Sequence, residues 1–120
     1  MYGAGARPCF DLLRANPKGF AFSPDDTSDP SGRNFSRALE WRAIMQANSD
    51  GGKDMLATEM GWLRDTTVDL GGYKWMKVSA VDQAHYLARA YHKARRERPW
   101  MGPLMTWNLD SAAFDPASNH

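Results

Sequence analysis

Apolar and polar residues alternate in blocks along the chain, and these blocks predict a repeated order of strand and helix. The central block, residues 54–62, has a short apolar run, Met-Leu-Ala, after a Gly-Gly breaker. A continuous apolar run of this length between turn signals is typical of a buried parallel strand. We therefore predict a strand over 55–59. Glu59 would lie at its carboxyl end, where parallel α/β folds carry their functional groups.

Two segments with helical periodicity flank this strand. Residues 35–48 place apolar side chains on one face, and Asn34 before them is a predicted N-cap. Residues 79–98 show the same periodicity more regularly, and Ser79 with Asp82 resembles a capping box. The predicted apolar faces are Ala38, Trp41, Ile44 and Met45 in the first helix, and Val81, Ala84, Leu87, Ala88, Tyr91 and Ala94 in the second.

Apolar runs at 9–13 and 101–109 predict two outer strands, and Cys9 in the first run is expected to be a buried small hydrophobe. Residues 23–34 and 63–78 predict long connections, because the first is rich in proline and polar residues and the second begins with polar residues. The repeated order of strand, loop and helix predicts an α/β fold. Its three parallel strands would be joined by two right-handed crossover helices.

Composition restricts the function classes. A length of 120 residues fits one small domain, and a net charge of +1 gives no electrostatic argument for a nucleic-acid or membrane-surface partner. The single cysteine excludes an internal disulfide, no apolar stretch is long enough for a membrane span, and the N-terminus does not resemble a signal peptide. Localisation stays open. His85 and His92 have no third ligand nearby in sequence, and no glycine-rich phosphate loop occurs, so no metal or cofactor is expected.

Two motifs resemble a known family. Thr58-Glu59-Met60-Gly61-Trp62, followed by Trp-Met-Gly-Pro-Leu-Met-Thr-Trp-Asn-Leu at 100–109, resembles the last third of clan-A retaining glycoside hydrolases. These are the cellulase-like and β-xylosidase-like TIM barrels. Residues 9–20 resemble their sixth strand and the loop after it. The resemblance implies a partial (β/α)₈ barrel with this organisation: an irregular N-terminus at 1–8, the sixth to eighth strands at 9–110, and a tail at 111–120.

The same resemblance implies a site. Glu59 occupies the position of the catalytic nucleophile, and Trp107 occupies that of the tryptophan that floors the sugar subsite. Trp62 is a second candidate for sugar contact. Asn16 and Lys18 occupy positions where the family usually carries an aromatic or histidine group, so Lys18 would hold the Glu59 carboxylate by charge.

The second carboxyl group of a retaining glycosidase is missing from this pattern. The two groups normally stand about 5–5.5 Å apart. The other glutamates, Glu40 and Glu97, fall within or at the end of predicted helices, and no Asn-Glu-Pro motif occurs. The chain is therefore expected to be an inactive hydrolase fragment by itself. Its expected partners are a carbohydrate and either a second copy or the missing N-terminal part of the barrel.

Two other hypotheses stay open. The chain could be a catalytically inactive carbohydrate-binding or interaction module that uses Trp62, Trp75 and Trp107. It could also be a small autonomous α/β domain.

Overall fold

A parallel sheet of three strands forms the centre of the computed structural model, which describes residues 1–28, 32–65, 67 and 69–107. Short 3₁₀ helices span Tyr2–Ala4, Arg7–Cys9 and Gly71–Met76. The remaining elements, in chain order, are β1 (Leu12–Ala15), α1 (Arg37–Ala47), β2 (Asp54–Met60), β3 (Leu63–Arg64), β4 (Lys77–Val78), α2 (Ala80–Glu97) and β5 (Met101–Thr106).

The sheet has the order β1-β2-β5, and both pairings are parallel. This confirms the predicted α/β class and the predicted parallel pairing of the three strands. Ala38 of α1 packs in one buried cluster with Ala90 and Ala94 of α2 and with Ala57 of β2. The two crossover helices therefore share a single core with the central strand. The sheet is open, with β1 and β5 at its edges.

The first helix begins later than its pattern predicts. Its N-cap position is Ser36 and not Asn34, and no side-chain bond caps it. The Ser36 hydroxyl instead donates a hydrogen bond to the carbonyl oxygen of Pro24, 3.4 Å away, and so connects the preceding loop to the helix start. Asn34 is buried beside it. The predicted stop at Asn48 is confirmed, since Asn48 is the C-cap.

The second helix has the predicted start but a rotated buried face. Ser79 is its N-cap and accepts a hydrogen bond from the Asp82 backbone N–H at 3.0 Å, as predicted. Ala90 and Ala94 are buried, whereas Val81 is 64% exposed. In α1 the predicted core residue Ile44 is likewise 52% exposed. Periodicity predicted both helices correctly. However, among the described residues only part of each predicted apolar face is buried.

The predicted strand at 9–13 is wrong at its start. Arg7–Cys9 form a 3₁₀ helix with Pro8 in its first turn, where the fixed proline φ is favourable, and the strand begins only at Leu12. Cys9 is therefore outside the sheet and exposed, which corrects the expectation that it is buried.

The connection at 63–78 contains more structure than predicted. Strands β3 and β4 pair in parallel as a second, two-stranded sheet, and the 3₁₀ helix Gly71–Met76 lies between them in sequence.

Some predicted segments lie outside the described residues. These are residues 29–31 of the first loop and residues 108–120, which include Asn108 and the predicted tail. In the described part of the chain, no helix is long and apolar enough to cross a membrane.

The loop after β1 is fastened to α2 by charge. Asp25 accepts two hydrogen bonds from Arg89 and one from Lys93, each 2.7 Å long. These bonds hold the pKa of Asp25 well below its usual range. The buried guanidinium of Arg98 donates to the carbonyl oxygen of Phe35 at 3.2 Å and so ties the end of the loop to the end of α2.

A glycine at the end of β2 permits a close approach of β5. A Cβ atom on Gly61 would overlap the Trp107 carbonyl oxygen, whereas one on Gly52 would have no heavy atom within 4 Å. We expect Gly61→Ala to lower the free energy of unfolding by about 1–3 kcal/mol, because backbone must move. Gly52→Ala should change it by less than about 0.5 kcal/mol. Urea denaturation measures both, and equal stabilities would contradict this packing.

Candidate functional site

Glu59 lies near the carboxyl end of β2, beside an irregularity in the pairing with β5. Ala57 pairs with Leu104 and Met60 pairs with Thr106, so β2 has one residue more than its partner between these pairs. Strict alternation would put Glu59 on the buried side of β2 with Ala57. The extra residue instead lets both Ala57 and Met60 be buried, and the Glu59 side chain stays 22% exposed. Bulges of this kind often redirect a side chain at a functional site.

Two cations from the first strand and its loop hold the Glu59 carboxylate. Lys18 Nζ is 2.9 Å from Oε2, and Arg14 Nη2 is 3.6 Å from Oε1. Lys18 was predicted to hold the carboxylate, and the structure brings the two residues together. Because β1 and β2 are parallel neighbours, residues that follow β1 reach the carboxyl end of β2.

A chain of hydrogen bonds orders this end of the sheet. Arg14 Nε donates to Thr58 Oγ1 at 2.8 Å, and the Thr58 hydroxyl donates to Asn16 Oδ1 at 2.6 Å. Asn16 was predicted as a site residue from the sequence, whereas Arg14 and Thr58 were not. Alternation along β1 could have identified Arg14, because residues two apart in a strand face the same side.

The electrostatic environment keeps Glu59 ionised. The hydrogen bond from Lys18 lowers the pKa of the Glu59 carboxyl group, partial burial opposes this, and the charges of Lys18 and Arg14 lower it further. A general acid needs a raised pKa, whereas a nucleophile or an anionic ligand for a cation must be deprotonated. The site therefore suits a carboxylate that acts in its charged form.

The two candidate tryptophans have different environments. The Trp107 backbone N–H donates to the Met60 carbonyl oxygen at 2.9 Å, which fixes Trp107 at the same end of the sheet as Glu59, and its side chain is 58% exposed. Trp62 is only 4% exposed. Its ring packs against Phe35 and Tyr86, with centroids 6.3 and 5.6 Å away. Trp62 therefore fills the core, which corrects the expectation that it offers a surface to a sugar.

The other two glutamates have partners elsewhere. Glu40 pairs with Arg37 at 3.3 Å, and Glu97 pairs with Lys93 at 3.1 Å. No group of three or more histidine, cysteine or acidic side chains that could hold a metal ion occurs among the described residues. The site thus contains the Glu59 carboxylate, the two cations Lys18 and Arg14, and the exposed indole of Trp107.

Comparisons with known proteins add no relative: no protein-family model, no curated protein and no solved structure matches this chain.

The effect of Lys18 on Glu59 can be measured directly. We expect Lys18→Met to raise the pKa of the Glu59 carboxyl group, because it removes the hydrogen bond and the charge that lower this pKa. A carbon-detected NMR titration of the glutamate carboxyl groups measures the shift. Lys74→Met is the matched control, since Lys74 pairs with Asp69, 3.1 Å away, and should leave Glu59 unchanged.

The same pair should affect stability in a pH-dependent way. Because the pKa of Glu59 is lowered by folding, the Lys18 interaction stabilises the protein above the ordinary carboxyl range. This stabilisation is lost as the pH falls through the lowered pKa. The difference in unfolding free energy between wild type and Lys18→Met should therefore shrink in acid. In the NMR titration described above, a Glu59 pKa that is the same in Lys18→Met as in the wild type would contradict the pairing.

Proposed function

We propose that this chain is the C-terminal part of a glycosidase-like (β/α)₈ barrel and that Glu59 is in the position of the catalytic nucleophile. The observation that carries the proposal is the ionised Glu59 carboxylate, held by Lys18 at the end of the middle parallel strand and close to the exposed Trp107. An ionised carboxylate can attack an anomeric carbon, and an exposed indole can stack on the apolar face of a sugar ring. The sequence resemblance assigns the same roles to Glu59 and Trp107.

The edges of the sheet support the view that further barrel strands belong beside it. Strand β1 has a neighbour only on the β2 side within the described residues. Between β1, α1 and the N-terminus lies a groove of about 730 Å³, which includes Leu13, Trp41, Ile44 and Met45 in its lining. An apolar groove beside an unpaired strand edge is what a barrel fragment would present where its neighbouring strand and helix are missing.

Catalysis by the separate chain would lack a proton donor. Leaving-group protonation and water activation require a second carboxyl group, and Glu40 and Glu97 are engaged with cations on the two helices. General acid–base catalysis contributes about 10²–10⁴-fold to such reactions. The complete activity would therefore need a carboxyl group from the missing part of the barrel.

A second candidate function is an inactive carbohydrate-binding module. The exposed ring of Trp107 favours it, because aromatic platforms bind sugars without any catalytic group. In this case oligosaccharides would bind, Trp107→Ala would abolish binding, and Glu59 would never become modified.

Glu59 can be tested with substrates that need no acid catalyst. Dinitrophenyl fluoroglycosides lose a phenolate without protonation, and the fluorine beside the anomeric carbon slows the second step. We expect incubation with a panel of gluco-, xylo-, galacto- and manno-configured reagents to attach one fluorosugar to Glu59. Intact mass spectrometry and peptide mapping detect the ester. Alkyl glycosides, which need protonation, should not be turned over.

Matched variants make this experiment specific. Glu59→Gln should lose labelling because the amide is a poor nucleophile, and Glu97→Gln should be labelled as the wild type is. Labelling of other carboxylates, or no labelling by any reagent, would contradict the role of Glu59. Steady turnover of alkyl glycosides by the chain alone would contradict the fragment proposal instead.

The open edges also predict association. We expect the purified chain to form dimers or larger assemblies at high micromolar concentration, because the groove and the edge of β1 are exposed. Ile44→Glu should favour the monomer, and Tyr73→Glu, on the 3₁₀ helix Gly71–Met76, is the control that should not. Size-exclusion chromatography with light scattering measures both. A wild-type monomer with a sharp thermal transition would indicate an autonomous domain.

A further inference from the structure

The two oxygen atoms of the Glu59 carboxylate have different surroundings. Oε2 is 2.9 Å from Lys18 Nζ, which is the length of a hydrogen bond, whereas Oε1 is 3.6 Å from Arg14 Nη2. The second distance exceeds the length of about 2.7–3.2 Å that an N–H···O hydrogen bond requires. Arg14 therefore acts on Oε1 through its charge, and its guanidinium group leaves the lone pairs of that oxygen atom uncommitted.

The guanidinium group of Arg14 bonds to a different residue. Its Nε donates a hydrogen bond of 2.8 Å to Thr58 Oγ1. Without this contact we expect Arg14 to approach the Glu59 carboxylate, because guanidinium and carboxylate groups favour two parallel hydrogen bonds. The Arg14 side chain is 67% exposed, so packing restrains it little. The hydrogen bond to Thr58 thus keeps Arg14 at a distance from Oε1.

The Thr58 hydroxyl group is oriented in turn by Asn16. It donates its single hydrogen atom to Asn16 Oδ1 at 2.6 Å, and its oxygen lone pairs are then available to accept from Arg14. Arg14 lies in β1 and Asn16 follows that strand, whereas Thr58 lies in β2. Two hydrogen bonds therefore link the parallel strands at the residue before Glu59.

The distance between Arg14 and Oε1 matters for a nucleophile. An attacking carboxylate needs one oxygen atom that can form a bond to the anomeric carbon. Oε2 is held by Lys18, so a hydrogen bond from Arg14 to Oε1 would engage both oxygen atoms. Such a bond would withdraw electron density from Oε1 and compete with the bond to carbon. The contact between Thr58 and Arg14 prevents this and retains the positive charge nearby.

We propose that Thr58 is a positioning residue that holds Arg14 away from Oε1, so that Oε1 is the oxygen atom of Glu59 that attacks the sugar. This role rests on the proposed function of Glu59 as the nucleophile and identifies its reacting atom. In the reaction with a dinitrophenyl fluoroglycoside, a lone pair of Oε1 forms the bond to the anomeric carbon. The bond from this carbon to the phenolic oxygen breaks with its electron pair, and dinitrophenolate leaves.

Rates of labelling of the full chain test the role of Thr58. The reagent is the fluoroglycoside that labels wild-type Glu59 most rapidly, and intact mass spectrometry follows the ester at several reagent concentrations. We expect Thr58→Val, which keeps the β-branched shape, to lower the maximal rate about tenfold, since a hydrogen bond to a charged group then opposes the attack. The reagent concentration that gives half of this rate should change little.

Further variants separate this role from a general effect on the fold. Thr58→Ser keeps the hydroxyl group and should be labelled as fast as the wild type. In an Arg14→Met background, Thr58→Val should have no effect on the rate, because no guanidinium group can approach Oε1. Thr67→Val removes an exposed threonine hydroxyl between β3 and β4 and should leave the rate unchanged.

Urea denaturation of each variant shows whether it is folded. Asn16→Ala provides a second test of the same contact if Thr58→Val does not fold. It removes the acceptor that orients the Thr58 hydroxyl group, so it should slow the labelling in the same direction. An unchanged rate in folded Asn16→Ala would then contradict the positioning role.

The pKa of the Glu59 carboxyl group gives an independent measurement. In the NMR titration, Thr58→Val should lower this pKa further because Arg14 comes closer, whereas Arg14→Met should raise it. The acid limb of the labelling rate against pH should move in the same directions. A Glu59 pKa that is unchanged or raised in Thr58→Val would show that Arg14 does not approach the carboxylate and would overturn the positioning role.

The outcomes separate the role of Thr58 from the proposed function. If wild type and Thr58→Val are labelled at Glu59 equally fast, the positioning role is overturned and Glu59 remains the nucleophile. If Thr58→Val slows labelling equally with and without Arg14, Thr58 acts by another route and the positioning role is overturned too. If no reagent labels the wild type, both the proposed function and the role of Thr58 are overturned, whatever the pKa of Glu59.

Discussion

Strand β2 is hydrogen-bonded to parallel neighbours on both edges, and the arrangement of the site follows from this pairing. Through β1 it brings the Lys18 ammonium group to Glu59, and through β5 it brings Trp107 to the residue after Glu59. The buried side of β2 packs against both helices, so the same strand organises the core. Displacement of β2 would therefore both separate Glu59 from Lys18 and disrupt the core.

Charge gives the two ends of this sheet different roles. At the carboxyl end, Arg14 and Lys18 hold a carboxylate that is partly exposed to solvent. At the opposite end, the buried Asp50 pairs with Arg7 and Lys53 at 3.3 and 3.0 Å, which fastens the N-terminal segment to the turn before β2. The first group is accessible to a ligand. In the second, the Asp50 carboxylate is buried, so this group serves packing.

Local sequence patterns predicted correctly those elements in which the local preference of the residues and their long-range packing favour the same structure. The Ser79 cap, the apolar run of β2 and the order of the parallel strands are of this kind. The errors come from long-range contacts. Ser36 replaces Asn34 as N-cap because its hydroxyl reaches the Pro24 carbonyl group, and Trp62 is buried because Phe35 and Tyr86 cover it.

The candidate site was also predicted only in part from the sequence. The family resemblance implied that Lys18 holds Glu59, and the parallel pairing of β1 and β2 brings the two residues together, but no periodicity reveals the extra residue in β2 beside Glu59. That extra residue restricts how this segment can evolve. Substitutions between Ala57 and Met60 change one side chain, whereas loss of a single codon there would restore strict alternation with Met60 still on the buried face, and would remove the bulge beside which Glu59 lies. We therefore expect descendants of this gene to vary in composition across the segment and to keep its length.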